Sequence, residues 1–371
     1  MLKKHAQHRV LIGVSFIAAL SMAVSACGDG GGNGDGGNGG SEGGDGDLSG
    51  SVAFLMPDHA STRYEEQDYP LFEAKIQELC PDCEVHYQNA DGNATDQQEQ
   101  ADSMAARGVD VVVIDAVDTT AAANIVENLQ AQDIKVITYD RPVPNAQADY
   151  YVSFDNTAIG ELISEDLVTY LADEGVTADD GGLLIVGGSP DDDAAQLIKE
   201  GMMSGVEASD FEVLASFDTP DWDPPQAQEW VDGQVDKFGS DVVGVVAAND
   251  GTGGAAIAAL KAAGLTPLPP VTGNDAETAA IQRIINGDQH NTISKPIKIV
   301  AEKTAEIVVQ MLQGDTPEGE ETLFDTPSVL FVPEVVTREN VKEIIFDGGI
   351  YTADEICTSD YESACEELGI L

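Results

Sequence analysis

The sequence has few basic residues. Its 371 residues include 17 Lys and Arg against 67 Asp and Glu, which gives a formal net charge of −50 at pH 7. A protein that binds nucleic acid neutralises phosphates with clustered Lys and Arg, so this composition excludes nucleic acid as a partner. The same negative charge repels anionic lipid headgroups and anionic solutes at long range.

Histidine is also scarce. Of the five His residues, two lie near the N-terminus and the others, His59, His86 and His290, are scattered. Catalysis by a nucleophile and a neighbouring base therefore has no candidate set of residues. No GxxxxGK[ST] loop follows a strand, and the GGSPD turn at Ser189 differs from the GxSxG of hydrolases. We expect a protein without enzymatic activity, cofactor or metal.

The N-terminal apolar run is too short for a transmembrane helix. Val10–Val24 has about 15 residues, whereas a membrane span needs about 20. The run follows basic residues and ends in Val-Ser-Ala-Cys at Cys27, which resembles a bacterial lipobox. This pattern predicts a signal peptide over residues 1–26 and acylation of Cys27. The alternative is an ordinary cleavage site with a chance cysteine.

The segment after Cys27 has almost no apolar surface. Residues 28–50 are nearly all Gly, Asp, Asn, Ser and Glu, a composition that cannot bury a core. We therefore expect residues 27–50 to form a flexible tether between the anchor and a folded part.

Four cysteines follow the tether as two local pairs. Cys80 and Cys83 flank Pro-Asp, and Cys357 and Cys365 lie near the C-terminus. An even number of cysteines in an exported protein predicts a disulfide within each pair. A zinc site or a redox pair is the alternative.

Beyond residue 50, short apolar strands alternate with helical patterns. Ser51–Met56, Val109–Asp115 and Lys135–Tyr139 are strands in the first half, and Gly182–Gly187 and Val242–Ala247 are strands in the second. This alternation predicts parallel sheets with right-handed crossovers. Because it occurs twice, we expect two α/β lobes. Polar residues follow several strands, at the sheet edge where such folds bind ligands.

Seven short motifs follow one another along this region. They are GVDVVVI (108–114), IKVITYDR (134–141), YVSFDN (151–156), GGSPDD (187–192), AAND (247–250), GNDAE (273–277) and SKP (294–296). With them, the chain from about Ser51 to Asp315 resembles the periplasmic xylose-binding proteins of ABC transporters and the wider pentose- and galactose-binding group. This resemblance implies the type 1 periplasmic binding protein fold, in which two Rossmann-like lobes with parallel sheets flanked by helices are joined by three hinge crossovers.

The resemblance also implies lobe boundaries and a hinge. One lobe would comprise residues 51–153 with about 296–330, and the other residues 154–295 with about 331–371. The chain first crosses between them at Ser153, Phe154 and Asp155, which we expect to form part of the hinge.

A set of polar residues and one tryptophan matches the family's sugar contacts. They are Arg63, Arg141, Asp192, Asp193, Trp222, Asn249, Asp275 and Lys295. Arg offers two parallel donors and Asp accepts two hydrogen bonds, so both suit sugar hydroxyls, while Trp offers a flat apolar face. For the charged residues the alternative is a surface charge or a helix cap, and for Trp222 it is core packing. Tyr64, Ala194 and Ser294 depart from the family pattern.

Two acidic sites have other interpretations. Asp191–Asp193 lacks the D-x-D-x-D-G pattern of calcium loops, so we expect a solvated loop with one sugar-binding acid. Asp250 directly precedes a Gly-rich helix start, which predicts that it caps the helix.

These features together predict an extracytoplasmic, lipid-anchored solute-binding protein. It would capture a monosaccharide, D-xylose or a related aldose, and deliver it to an ABC permease. We expect a monomer, located at the outer face of the cytoplasmic membrane or in the periplasm. The alternatives are a sugar-sensing subunit for a membrane kinase or chemoreceptor and a sugar-acting enzyme. A sugar-responsive repressor has no support, because residues 1–50 contain no helix-turn-helix pattern.

Overall fold

The computed structural model describes residues 48–59 and 61–371. The predicted signal peptide, Cys27 and the tether up to residue 47 lie outside the described residues. No helix in the described ranges combines the length and the apolar character that a membrane span requires.

The described chain alternates strands and helices. The strands are β1 (Ser51–Met56), β2 (Glu84–Asn89), β3 (Val111–Ile114), β4 (Lys135–Tyr139), β5 (Tyr150–Phe154), β6 (Gly182–Gly187), β7 (Val213–Asp218), β8 (Val242–Ala247), β9 (Asn291–Ser294), β10 (Glu321–Leu323), β11 (Thr326–Phe331) and β12 (Glu334–Thr337). The helices are α1 (Tyr69–Leu79), α2 (Ala94–Arg107), α3 (Ala122–Gln130), α4 (Asn156–Asp173), α5 (Asp193–Glu207), α6 (Pro224–Phe238), α7 (Asp250–Ala262), α8 (Thr278–Asn286), α9 (Ile297–Leu312), α10 (Ala353–Ile356) and α11 (Glu362–Glu367). The predicted bounds of β1, β4, β6 and β8 are confirmed.

The N-terminal lobe is built on one large sheet. Within the described residues, seven strands follow the order β10-β11-β5-β4-β3-β1-β2. All neighbours run parallel except β10, which is antiparallel to β11. Every residue of β3 is buried, as expected for a strand whose sheet carries helices on both faces.

The C-terminal lobe has a second, smaller set of strands. β6 lies between β7 and β8, and all three run parallel. Val271 forms a single parallel bridge to Val245, and its carbonyl accepts from the backbone N–H of His290, directly before β9. β9 pairs antiparallel with β12. The predicted α/β class with two lobes is therefore confirmed.

The described chain crosses between the two lobes three times. β5 leads through Asp155 into α4, β9 leads through Lys295 and Pro296 into α9, and β11 leads through Val332 and Pro333 into β12. The Asp155 carboxylate accepts from the backbone N–H of Ala158 at 3.0 Å and so caps α4 directly at the first crossing. The three expected crossovers are present.

Each cysteine pair after the tether is joined in the structure. Disulfide bonds connect Cys80 to Cys83, directly after α1, and Cys357, directly after α10, to Cys365 within α11. Both link residues close in sequence, so each fixes a short local segment.

The close contact between α4 and α5 depends on glycine. A Cβ atom on Gly160 of α4 would lie 1.9 Å from the carbonyl oxygen of Ile198, and one on Gly201 of α5 would lie 2.1 Å from that of Thr157. The two helix backbones therefore touch where neither residue has a side chain. This contact places α5, whose first turn reaches the cleft, against the helix that follows the first crossing.

We expect Gly201→Ala to lower the free energy of unfolding by about 1–3 kcal/mol, because overpacked sites force the backbones apart. Gly233→Ala is the matched control, since Gly233 is an exposed position within α6 with nothing within 4 Å of a new Cβ. That change should raise stability by about 0.5–1 kcal/mol through helix propensity alone. Urea unfolding measures both, and equal effects of the two variants would contradict the contact.

Candidate ligand-binding site

A cavity of about 50 Å³ lies between the lobes. Its wall is formed by residues that follow β1, β4, β5, β6, β7, β8 and β9, so the carboxyl ends of strands from both lobes meet there. Such a space exceeds the roughly 10–15 Å³ that one water molecule needs, so it can hold a small molecule. Seven of the eight predicted contact residues line it, namely Arg63, Arg141, Asp192, Trp222, Asn249, Asp275 and Lys295.

Arg141 is the most heavily bonded side chain in the cavity wall. Its guanidinium has these neighbours: the Ala116 carbonyl at 3.0 Å, Asp58 Oδ2 at 3.0 Å, the Tyr64 hydroxyl at 3.2 Å, Asp192 Oδ2 at 3.3 Å and Asp115 Oδ1 at 3.4 Å. Burial opposes its charge, but Tyr64 and the three carboxylates outweigh burial and raise the pKa of Arg141 well above its usual value. Arg141 is therefore a fixed cation that joins the two lobes.

Asp115 supports Arg141 from behind the cavity. Its side chain is fully buried, and neither carboxylate oxygen has a hydrogen-bond partner among the described residues. Burial raises the pKa of Asp115 well above its usual value, although Arg141 opposes this. A buried carboxylate in this position helps to fix the direction of the guanidinium.

Arg63 forms a second buried ion pair in the N-terminal lobe. Its Nη2 donates to Asp140 Oδ2, and its Nη1 lies 3.6 Å from Asp68 Oδ1. The Asp140 carbonyl accepts from the hydroxyls of Tyr151 and Ser153, both at 2.8 Å. Hence two residues of β5, one of them a predicted hinge residue, hold the turn that carries the ion pair.

Asp140, which is not among the eight predicted contact residues, also lines the cavity. It has a φ of 60°, the left-handed region that Asp and Asn tolerate better than most residues. Burial raises its pKa, but Arg63, Lys295 and Arg141 reverse this, and the net pKa of Asp140 is lowered. It is thus an ionised acceptor. In the sequence, the position of Asp140 beside Arg141 at the end of β4 could have indicated a role in the site.

Asp192 and Trp222 form the wall on the C-terminal side. Asp192 accepts from the backbone N–H of Ala194 at 2.8 Å, which caps α5, and from Trp222 Nε1 at 3.0 Å. The indole also packs on Gly188, where a Cβ atom would lie 2.1 Å from the ring. The orientation of Trp222 is therefore fixed by the hydrogen bond of its Nε1 and by the contact of its six-membered ring with Gly188.

The start of α7 corrects one prediction. Asn249, not Asp250, caps this helix, since its Oδ1 accepts from the backbone N–H of Thr252 at 2.9 Å. The helix begins one residue earlier than a cap at Asp250 requires.

The Asp250 side chain instead supports the cavity wall from behind. It is fully buried, and its carboxylate accepts from the backbone N–H of Glu277 and from the side chains of Gln289 and Thr292. Burial raises the pKa of Asp250 to about 8, with Glu277 and Asp275 adding to the effect. These bonds hold the turn that carries Asp275.

Asp275 and Lys295 form a third ion pair, with 2.7 Å between Oδ1 and Nζ. Asp275 has a φ of 102°, which is strained for any residue other than glycine. The adjacent Asn274 lines the cavity, is 2 % exposed, and has an Oδ1 without a partner among the described residues. Sequence reasoning missed Asn274, although it lies within the GNDAE motif.

Asp193 does not line the cavity. Its carboxylate accepts from the hydroxyl of Thr119 in the N-terminal lobe at 2.6 Å. Of the residues that depart from the family pattern, Tyr64 and Ala194 line the cavity, whereas Ser294 lines a small neighbouring pocket.

Fixed charges of both signs therefore surround one small space. The lining carboxylates belong to Asp58, Asp140, Asp192 and Asp275, and the lining cations to Arg63, Arg141 and Lys295. Together they offer both donors and acceptors in set directions, beside one aromatic face. Nowhere in the described chain do three or more His, Cys, Asp or Glu side chains group as metal ligands.

A profile of the periplasmic binding protein domain matches residues 52–316. The chain belongs to the periplasmic binding protein family. Among its relatives, the D-xylose-binding periplasmic protein of Escherichia coli is 33% identical over 299 residues, 78% of this chain and 88% of the relative. A multiple sugar-binding periplasmic receptor of Rhizobium radiobacter is 30% identical over 334 residues, 83% of this chain and 92% of the relative.

Solved structures of solute-binding proteins have the same fold. An ABC transporter solute-binding protein from Clostridium phytofermentans with bound β-D-glucose has a TM-score of 0.74 and 25% identity, covering 82% of this chain and 99% of that one. A carbohydrate transporter solute-binding protein from Chloroflexus aurantiacus with D-glucose has a TM-score of 0.72 and 25% identity, over 83% and 98% of the two chains. The type 1 fold expected from the sequence is thereby confirmed.

Proposed function

We propose that this protein captures a neutral monosaccharide between its lobes and delivers it to an ABC permease. D-xylose is the first candidate, followed by other aldopentoses and galactose-like sugars. The observation that carries the proposal is the small cavity whose wall combines one buried and three partly buried carboxylates with three buried cations beside Trp222. We propose that the protein binds the sugar without converting it chemically.

The chemistry of a sugar suits this wall. Each hydroxyl both donates and accepts, and leaving one unpaired in a closed site costs about 1–3 kcal/mol. Asp275 and Asp140 accept, whereas Arg63 and Arg141 donate, and hydrogen bonds to charged groups are the stronger kind. The face of Trp222 offers apolar contact to sugar C–H groups.

Charge favours a neutral ligand over an anion or an amine. The four lining carboxylates exceed the three lining cations, and the whole chain carries a formal charge of −50. A sugar phosphate or uronate would approach against this field. A polyamine would meet Arg63 and Arg141 in the wall. The similarity to a D-xylose-binding protein and to a multiple sugar-binding receptor supports the same class of ligand.

The proposal includes a lipid anchor at Cys27. Its support is the run of basic residues, the apolar segment and the Val-Ser-Ala-Cys motif, followed by a tether with almost no apolar residues. The anchor would hold a monomer at the outer face of the cytoplasmic membrane, close to a permease. The periplasmic location given in the names of the relatives fits this arrangement.

Calorimetry with D-xylose, other aldopentoses and galactose tests the ligand. We expect at least one sugar to bind below millimolar, and Asp275→Ala and Arg141→Ala each to weaken binding at least tenfold, because each change leaves charged partners and a sugar hydroxyl unpaired. Asp275→Asn is a milder variant that keeps the side-chain size.

Arg107→Ala and Asp173→Ala are the matched controls, since both residues are exposed and lie outside the cavity. Their affinities should equal that of the wild type. The sugar assignment is wrong if no monosaccharide binds below millimolar while an amino acid, a nucleoside or a polyamine does.

Fractionation of cells tests the anchor. The wild-type protein should sediment with the membranes, and Cys27→Ala should be released or remain unprocessed, because it lacks the acylated residue. Normal membrane retention of a processed Cys27→Ala protein would refute the lipoprotein assignment.

A further inference from the structure

The two lobes also meet at a point outside the cavity. Thr119 lies between β3 and α3 in the N-terminal lobe, and its backbone N–H donates to the Asp191 carbonyl of the C-terminal lobe at 3.0 Å. Its hydroxyl donates to Asp193 Oδ2 at 2.6 Å and accepts from the backbone N–H of Asp193 at 3.0 Å. One threonine thus uses backbone and side chain together to bind one loop of the other lobe.

This contact is adjacent to the cavity without being part of it. Thr119 is 1 % exposed, and neither Thr119, Asp191 nor Asp193 lines the cavity. Asp192, between the two aspartates, does line it and lies 3.3 Å from Arg141 of the N-terminal lobe. The residues on either side of a cavity-lining carboxylate are therefore held by the opposite lobe.

We propose that Thr119 and Asp193 form an interlobe clasp that sets the affinity for ligand without touching the ligand. This inference rests on the proposed function, since it concerns the same site. Separation of the lobes breaks the hydrogen bonds of the clasp, and closure remakes them only when Asp192 is in register with Arg141. Thr119 and Asp193 are thus positioning residues.

The clasp acts through the balance between open and closed protein. Ligand enters the open protein, and the apparent dissociation constant is lower the more the complex populates its closed state. Loss of the clasp lowers that population and leaves every contact in the cavity wall in place. Its effect should appear mainly as faster ligand dissociation, because the clasp holds the complex closed after ligand has entered.

A threonine series tests the clasp with D-xylose as the probe. Thr119→Val keeps the shape and removes the hydroxyl, Thr119→Ser keeps the hydroxyl, and Thr120→Val makes the same change at an exposed neighbour. Calorimetry gives affinity, stopped-flow mixing gives the dissociation rate, and thermal unfolding without sugar reports on folding.

We expect Thr119→Val to bind about tenfold more weakly and to release sugar faster. Thr119→Ser and Thr120→Val should match the wild type, and all four proteins should unfold at the same temperature without sugar. Asp193→Asn, which removes the charged acceptor, should behave like Thr119→Val, whereas Asp191→Asn, which alters only an exposed side chain, should not.

Two results would overturn the clasp alone. One is equal affinity and release rate for Thr119→Val and the wild type. The other is a weaker affinity that comes with a lower unfolding temperature of the sugar-free protein, which would assign Thr119 a purely structural role. A wild-type protein that binds no sugar refutes the proposed function instead, and the clasp with it.

Discussion

The guanidinium of Arg141 is the interaction on which the cleft depends. It lies within 3.4 Å of carboxylates from three loops, at Asp58, Asp115 and Asp192, and the last belongs to the other lobe. Isolated charges cost several kcal/mol to bury, so each of these loops gains from keeping its carboxylate beside the cation. The strand ends that form the N-terminal wall are thus held together by charge as well as by the sheet beneath them.

Ion pairs of this kind fix the side chains of the cavity wall before any ligand enters. Asp140 is held by Arg63 and by hydroxyls of β5, and Asp275 is held by Lys295 at 2.7 Å. A preorganised wall loses little side-chain freedom on binding, so more of the interaction energy remains as affinity. The same ion pairs hold Arg63, Arg141 and Lys295 in the cavity wall. A protein with a large negative charge can therefore still offer cationic donors to a sugar hydroxyl.

Sequence patterns predicted the framework better than the directions of single side chains. Apolar runs identify β6 and β8, because parallel strands that are buried on both faces consist almost entirely of apolar residues. The IKVITYDR motif identified Arg141. The pattern could not separate Asp192 from Asp193, since successive side chains of a loop point to different sides and only the opposite lobe decides which meets the cavity. The wrong prediction that Asp250 caps α7 has the same origin, because the buried partners of Asp250 lie far along the chain.

The most direct test of the account is a crystal structure of the mature protein with D-xylose. We predict that the sugar binds in the cavity between the lobes with one ring face against Trp222. Its hydroxyls should lie within hydrogen-bonding distance of Arg141 and Asp275. A sugar bound elsewhere, or one in the cavity that contacts neither of these two charged side chains, would contradict the claim that the buried ion pairs form the recognition surface.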